Sequence, residues 1–283
     1  MTTERMSEQT QQVLQQIIKA VETDQIKLPT LPEVALKIRQ AVEKDNKSAI
    51  EIAELLSQDS SLSARLLQLA NSPLYRARSE IDNLQLAITR LGVRVVKNLV
   101  VMLAIKQAFK AQNKAIENQF KEVWQTSVDV AAASRVLAKD QNNIDKEHAM
   151  LAGLIHNIGS LPIIELANRK PSLFGDAENI RDITREIQGK LGEKILSFWN
   201  FPQSLIQVAS QWDSFNRTHD SGVDYVDIVQ AAIIHTQHAP ANTPDDWSII
   251  PAIKKLGLDP STHCFDESIQ LELEETRTSL MQN

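Results

Sequence analysis

The chain has 283 residues, 42% hydrophobic, 23% charged and 5% aromatic, with a formal net charge of −6. That is the composition of a globular protein with a real core, large enough for one big domain or two ordinary ones. The acidic balance weighs against nucleic-acid binding, which needs a basic surface to neutralise phosphates.

Arg90, Arg94 and Lys97 form a modest basic cluster, on a helix predicted to face the core. A single cysteine, Cys264, rules out an internal disulfide and suits a reducing compartment. The N-terminal MTTERMSEQTQQ has no apolar signal core, and the apolar run LVVMLAI at 99–105 is too short to span a bilayer. The expectation is a cytoplasmic protein with no membrane contact. Only eight glycines occur, and few segments alternate apolar with polar residues, which disfavours strands.

The helical period dominates from the start. Val13, Leu14, Ile17, Ile18 and Val21 make one stripe of a helix over 8–22. Pro32 suits the first turn of the next helix, with Val34, Leu36, Ile38, Ala41 and Val42 on its apolar side. Ser48 and Glu51 have capping-box spacing, and that helix should end near Ser57. Another starts at Ser60 or Ser61 and stops at Asn71, because Pro73 disfavours helix at Ser72. After the polar YRARSE comes NLQLAITRL, an interruption at Gly92, and a helix apolar on most sides, hence buried.

A second block opens near residue 115. FKEVWQTSVDVAAASRVLAK reads as one long helix, whose small Ala131–Ala133 allow a close neighbour. Asp145 caps a helix over 146–157, and a short helix follows over 160–168. PSLFGDAEN reads as a loop, and REIQGKLGEKILSFW as a helix. Pro202 restarts a helix through SLIQVASQW, and DYVDIVQAAIIHTQH is another. Beyond 240, APANTPDD is a loop. A helix carrying Trp247, Ile249, Ile250, Ile253 and Leu256 follows, then an acidic closing helix. The fold class is all-α with short connections.

Two groups of motifs are more specific than periodicity. The first is LPTLPEV, LLSQDSSLSARLLQLANSPLY and NLQLAITRLGVRVVKNLVV; the second is HAMLAGLIHNIGSL. Together, over roughly residues 25–215, they resemble the HDOD family, a bacterial signalling module related to metal-dependent HD phosphohydrolases. The resemblance implies a two-lobed helical bundle with an HD-like core. The divisions would be an N-terminal helix (1–24), an N-terminal lobe (25–112), an HD-like lobe (113–240) and a C-terminal extension (241–283). It also implies a regulator. Such a module usually follows a receiver or cyclic-dinucleotide domain, and residues 1–24 hold room for one helix only.

HD hydrolysis needs divalent metals that polarise a phosphoryl oxygen and acidify a bound water. Their ligands are imidazoles and indispensable carboxylates. Against the family's enzymatic relatives, His156 is present but Asn157 stands for the aspartate. Thr126 holds the place of a histidine after Trp124, and Gln188 that of another before Gly192. The paired histidines fall at Gln211 and Trp212, and the last aspartate is absent near Ala232 or Ile233. One imidazole does not make a catalytic metal site. The pocket reads as vestigial, with no metal, no cofactor and no catalytic residue.

Elsewhere the signals are weaker. Asn157 with Gly159 just beyond suits a helix end. His148 and His156 do not share a helix face, and His235 and His238 have i,i+3 spacing but no carboxylate constellation. Cys264 has only His263 beside it, and no G-x-S-x-G, Walker or G-x-G-x-x-G motif occurs. In LANSPLY each residue type has a local backbone reason; the alternative is an interaction elbow presenting Tyr75, Arg76 and Arg78.

The expected function is therefore a non-catalytic regulator that binds other signalling proteins, including components of cyclic-nucleotide pathways. Two alternatives stand beside it. One is a weak metal phosphodiesterase using His156 with Asp129, Glu186 or Asp213. The other is a nucleotide sensor in the emptied pocket, using the neutral groups of Thr126, Gln188 and Gln211.

Overall fold

Ser48 and Glu51 form the capping box that their spacing predicts. The Ser48 hydroxyl accepts from the Glu51 amide, and the Glu51 carboxylate accepts from the Ser48 amide. This cap opens one helix of an all-α chain, with no strand among the described residues. In this computed structural model the residues described are 8–23, 28–43, 48–75, 80–109, 114–174, 177–261, 265 and 267–282. Arg76, Arg78, His263 and Cys264 lie outside them, as do the side chains of Leu14, Val21 and Val42.

The first six helices are α1 (Glu8–Glu22), α2 (Glu33–Glu43), α3 (Ala49–Ser57), α4 (Ser60–Ala70), α5 (Leu84–Leu91) and α6 (Val93–Ala108). A single 3-10 turn, Pro73–Tyr75, follows α4. Asp59 and Asn83 cap α4 and α5 through their side chains. Between α5 and α6 the chain passes through Gly92 at φ +85 and ψ 150, a conformation that only glycine adopts cheaply. Helix α6 is the centre of this half. Leu99 to Ile105 are all buried, as a helix apolar on most sides must be. It packs against α2, α4 and α5, and also against α8 of the second half.

That second half begins with α7 (Lys114–Leu137), followed by α8 (Lys146–Ile155), α9 (Ser160–Arg169), α10 (Pro171–Phe174), α11 (Ala177–Phe198), α12 (Gln203–Gln211) and α13 (Tyr225–His235). Helices α7 and α8 pack directly against each other. A Cβ on Gly153 would sit 2.7 Å from the Ala131 Cα, so the small alanines predicted to admit a neighbour do so only with glycine opposite. The segment Lys146–Arg169 is long and apolar enough to cross a membrane by length and composition, but its apolar window lies mostly inside the core.

The chain closes with α14 (Pro251–Leu256) and α15 (Glu267–Gln282). The C-terminal part packs on the body. Ile250, Ala252 and Ile253 join Phe215, Ala231 and Ile234 in one cluster, while α15 lies against α7 and the Pro73–Tyr75 turn. The largest core cluster runs from Leu31 to Leu280 without a break between the two halves. Helix α1 stands on a smaller cluster, where Val13 and Ile17 meet Ile183, Ile187 and Leu191 of α11.

The elements differ from the sequence reading in three places. PSLFGDAEN is not one loop: Pro171, favourable in a first turn, starts α10, and α11 begins at Ala177. The predicted helix from Trp247 to Leu256 is split, because Pro251 supplies the first turn of α14. This leaves Trp247–Ile249 as a separate 3-10 turn and Ile249 58% exposed. Helix α13 stops at His235 rather than running to His238. Gln237 turns to φ 59, and the His238 amide reaches back to the Ile233 carbonyl, a Schellman-type end.

Candidate functional site

Asp145 starts α8 by accepting from the amides of Glu147 and His148. Ten residues later the helix ends at Ile155, and His156–Gly159 forms a turn. His156 is 3% exposed. Its Nδ1 lies 2.6 Å from the Gly153 carbonyl. A carbonyl only accepts, so Nδ1 carries the proton and Nε2 is the bare nitrogen. The ring stands edge-on to Trp212, with centroids 5.1 Å apart and planes at 83°. Burial lowers the His156 pKa to about 4, so the ring is neutral near pH 7.

Asn157 is also buried. Its Oδ1 and the Val123 carbonyl each lie 2.8 Å from the Ser127 hydroxyl, which has one proton to give them. The Ser160 hydroxyl donates to the Asn157 carbonyl at 2.8 Å. Gly159 brings the turn against α11: a Cβ there would fall 1.9 Å from the Gln188 carbonyl oxygen. Here glycine is required by a close approach, since its φ of −67 is ordinary.

The other residues singled out from the sequence gather only in part. Trp212 meets His156, and the Gln188 backbone meets Gly159. Thr126 and Gln188 are half-buried, and their side chains make no hydrogen bond with described residues. Gln211 is turned elsewhere: its Oε1 accepts from Arg217 Nε at 2.7 Å. The Trp212 indole N–H is buried without a partner among the described residues. Ser127 and Arg217 were missed by sequence reasoning. Ser127 was findable, since it lies one turn from Trp124 and Ala131 on the buried stripe of α7; Arg217 sits in a loop and carries no such signal.

A divalent metal does not fit this donor set. The groups at the family positions are one neutral imidazole, amides, a hydroxyl and an indole, with a guanidinium on Gln211. None supplies the negative charge that a dication needs beside it. The His156 arrangement, Nδ1 bonded to backbone and Nε2 bare, is the orientation that a metal-ligating histidine takes, but a lone ligand is left. Asp129, Glu186 and Asp213 do not complete it. Asp129 is held by His238 Nε2 at 2.9 Å and Arg277 Nε at 2.8 Å. Asp213 is raised in pKa by burial, with the Glu186 charge acting in the same direction.

Three metal-type side chains, His219, Asp224 and Asp227, do have their ligand atoms within 4.8 Å of one another. Two cations already occupy that ground. Arg217 pairs with Asp224 and lies 3.4 Å from Asp227, while Lys255 Nζ is 2.6 Å from His219 Nε2 and 3.5 Å from Asp227. The cluster reads as an ion-pair network. His235 Nδ1 bonds the Ala231 carbonyl at 2.9 Å, and His148 packs on Tyr225 with its pKa lowered by burial.

The Tyr75 elbow turns inward. The Tyr75 hydroxyl donates to Glu147 Oε2 at 2.6 Å. The other Glu147 oxygen accepts from Arg135 Nε at 3.2 Å, and Arg135 continues to Glu272 of α15 at 3.1 Å. Lys139 also reaches Glu272, at 2.9 Å. This favours the structural reading of LANSPLY at Tyr75.

A family model described as the HDOD domain matches residues 28–214. The chain belongs to the HDOD family. The HDOD segment thus begins just before α2 and ends just after α12, close to the span of the motifs read from the sequence. A protein of Treponema pallidum is 23% identical over 191 residues, a match covering 63% of this chain and 36% of that protein, so the chain spans well under half of the relative's length. Among solved structures, a Shewanella amazonensis protein that carries the name of a metal-dependent phosphohydrolase superposes with a TM-score of 0.84 at 29% identity, over 97% of this chain and 100% of that one. An HDOD domain protein from Geobacter sulfurreducens gives 0.63 at 19% identity over 96% and 94%. A protein from Marinobacter aquaeolei named for signal transduction gives 0.67 at 20% over 99% and 66%.

Proposed function

We propose that this HDOD chain is a non-catalytic regulatory module of a bacterial, cytoplasmic signalling pathway, acting by binding other signalling proteins. The observation that carries the reading is Asn157. The position where the enzymatic relatives need a carboxylate holds a buried amide engaged by Ser127, beside a neutral His156 packed on Trp212. Hydrolysis would require charge at that point, and the surrounding groups supply none. Relatedness to a protein named for signal transduction supports the regulatory half of the proposal.

The phosphohydrolase name of the Shewanella amazonensis relative favours the competing reading and sets the test. Purified protein is analysed for bound metal and assayed on bis(p-nitrophenyl) phosphate with added manganese. The regulatory reading expects no stoichiometric metal and no turnover. Metal at one equivalent, lost in His156→Ala together with hydrolysis, would overturn it.

A further inference from the structure

Beneath α15 lies a cavity of about 250 Å³ that none of the HD-motif residues lines. Asp129 and Ala132 of α7 form its floor, and Thr236 and Gln237 at the end of α13 one side. The opposite side is α15, whose Gln270, Leu273, Glu274 and Arg277 follow the i, i+3, i+4, i+7 spacing of one helix face. Small-molecule pockets start at roughly 300 Å³, so the space suits a ligand of one or two rings.

The wall chemistry narrows the ligand further. Phe265 stacks on His235 with centroids 5.0 Å apart at 27°, and His235 meets Trp247 at 5.7 Å. The first two of these rings border the cavity, which gives a flat ring a surface to stack on. Hydrogen-bonding capacity is mostly accepting. The Gln270 amide gives one N–H to the Phe265 carbonyl at 2.8 Å, which leaves its oxygen and its second N–H. The Thr236 hydroxyl donates to the Ala232 carbonyl at 2.8 Å, which leaves its lone pairs. Gln237 keeps a left-handed φ of 59 where glycine would be less strained, and it adds an amide at the rim.

Charge excludes phosphates. Arg277 is the guanidinium among the lining residues, and it already serves two carboxylates: Asp129 at 2.8 Å and Glu274 at 3.3 Å. With two carboxylates against one guanidinium, an anionic ligand meets net repulsion. We propose that this cavity binds a planar heteroaromatic base bearing N–H donors and no phosphate, of the aminopurine or aminopyrimidine class. The cavity adjoins the HD position through Asp129 and its partner His238 but is lined by none of the HD-motif residues, and the proposal does not depend on the regulatory reading.

Adenine is the probe, with adenosine monophosphate as the charged comparison, titrated into the full chain by calorimetry and followed by Trp247 fluorescence. The expected result is one site per chain, with the monophosphate at least about tenfold weaker, or about 1.4 kcal/mol. Phe265→Ala and the cavity-filling Ala132→Met are each expected to weaken adenine by about tenfold or more, while circular dichroism confirms that both remain folded. If Ala132→Met does not fold, Phe265→Ala alone carries the test. His156→Asn should leave adenine binding unchanged. Absence of adenine binding at millimolar concentration overturns the proposal, as does equal affinity for the monophosphate. Loss of binding in His156→Asn with none in Phe265→Ala would also overturn it, by placing the ligand at the HD position.

Discussion

Tyr75 and Glu147 lie 72 positions apart and share a 2.6 Å hydrogen bond that ties the first half of the chain to α8. Glu147 is 4% exposed, so its charge depends on the donors that surround it. Burial, and then the Glu147 charge, hold the Tyr75 hydroxyl well above its ordinary pKa, so it remains a donor at any working pH. Tyr75→Phe keeps the ring and removes the donor. The expected loss is about 1.5–3 kcal/mol, the range for a hydrogen bond to a charged group, read from the urea midpoint at unchanged m-value.

Arg135 carries more of the same network, because it bridges Glu147 and Glu272. Arg135→Met should cost about 3–5 kcal/mol by leaving a buried carboxylate unpaired. Combined with Tyr75→Phe the loss should fall short of the sum, since both act on one carboxylate. Additive losses in a double-mutant cycle would contradict the shared-acceptor geometry.

His156 sets a pH dependence. Its folded pKa of about 4 lies below the ordinary value of 6.5, so between these limits the unfolded chain binds a proton that the folded chain refuses. Stability is therefore fully present above pH 6.5 and falls as pH drops toward 4, by up to about 1.4 kcal/mol per unit. His148, also lowered by burial, acts in the same direction. Denaturant titrations from pH 7 to 4 should show a shallower slope in His156→Asn, which keeps a donor for the Gly153 carbonyl, than in the wild type.

Two glycines should separate crowding from backbone strain. Gly159→Ala puts a Cβ 1.9 Å from the Gln188 carbonyl oxygen, a backbone atom that has nowhere to go. A loss of more than about 3 kcal/mol, or failure to fold, is expected, since α9 and α11 must part. Gly92→Ala has open space but a φ of +85, and should cost about 1–3 kcal/mol. Equal melting temperatures for the two variants would argue against this distinction.

Restoring the carboxylate should not restore a metal site. Asn157→Asp adds one charge beside one imidazole, while Thr126, Gln188 and the Arg217-bound Gln211 stay as they are. Metal analysis of this variant after manganese loading is expected to show less than stoichiometric binding, because one imidazole and one carboxylate fall short of a coordination set.

The helix ends at Ser48, Asp145, Pro73 and Pro202 are legible in the sequence, because a cap or a proline marks each of them. The sequence reading fails where local chemistry competes with periodicity. Pro171 begins a helix inside the expected loop, and Pro251 cuts the helix that the Trp247–Leu256 stripe predicts. At the HD position the motif placed His156, Asn157 and Trp212 in one neighbourhood, but not their partners. Ser127 reaches Asn157 across 30 positions, and Arg217 draws Gln211 away. Pairings that leave the helix, whether across 30 positions or six, leave no periodic trace. Tyr75 shows the same limit: LANSPLY explains the turn, but its acceptor, Glu147, lies in another helix.

The ion network around Arg135 also constrains how the molecule is made. Tyr75, Arg135 and Glu147 leave the ribosome well before Glu272 does, and Arg135 lacks its second carboxylate until α15 has emerged. Chains that stop short of Glu272 lack this pairing, and the network around Arg135 is complete only once α15 has docked.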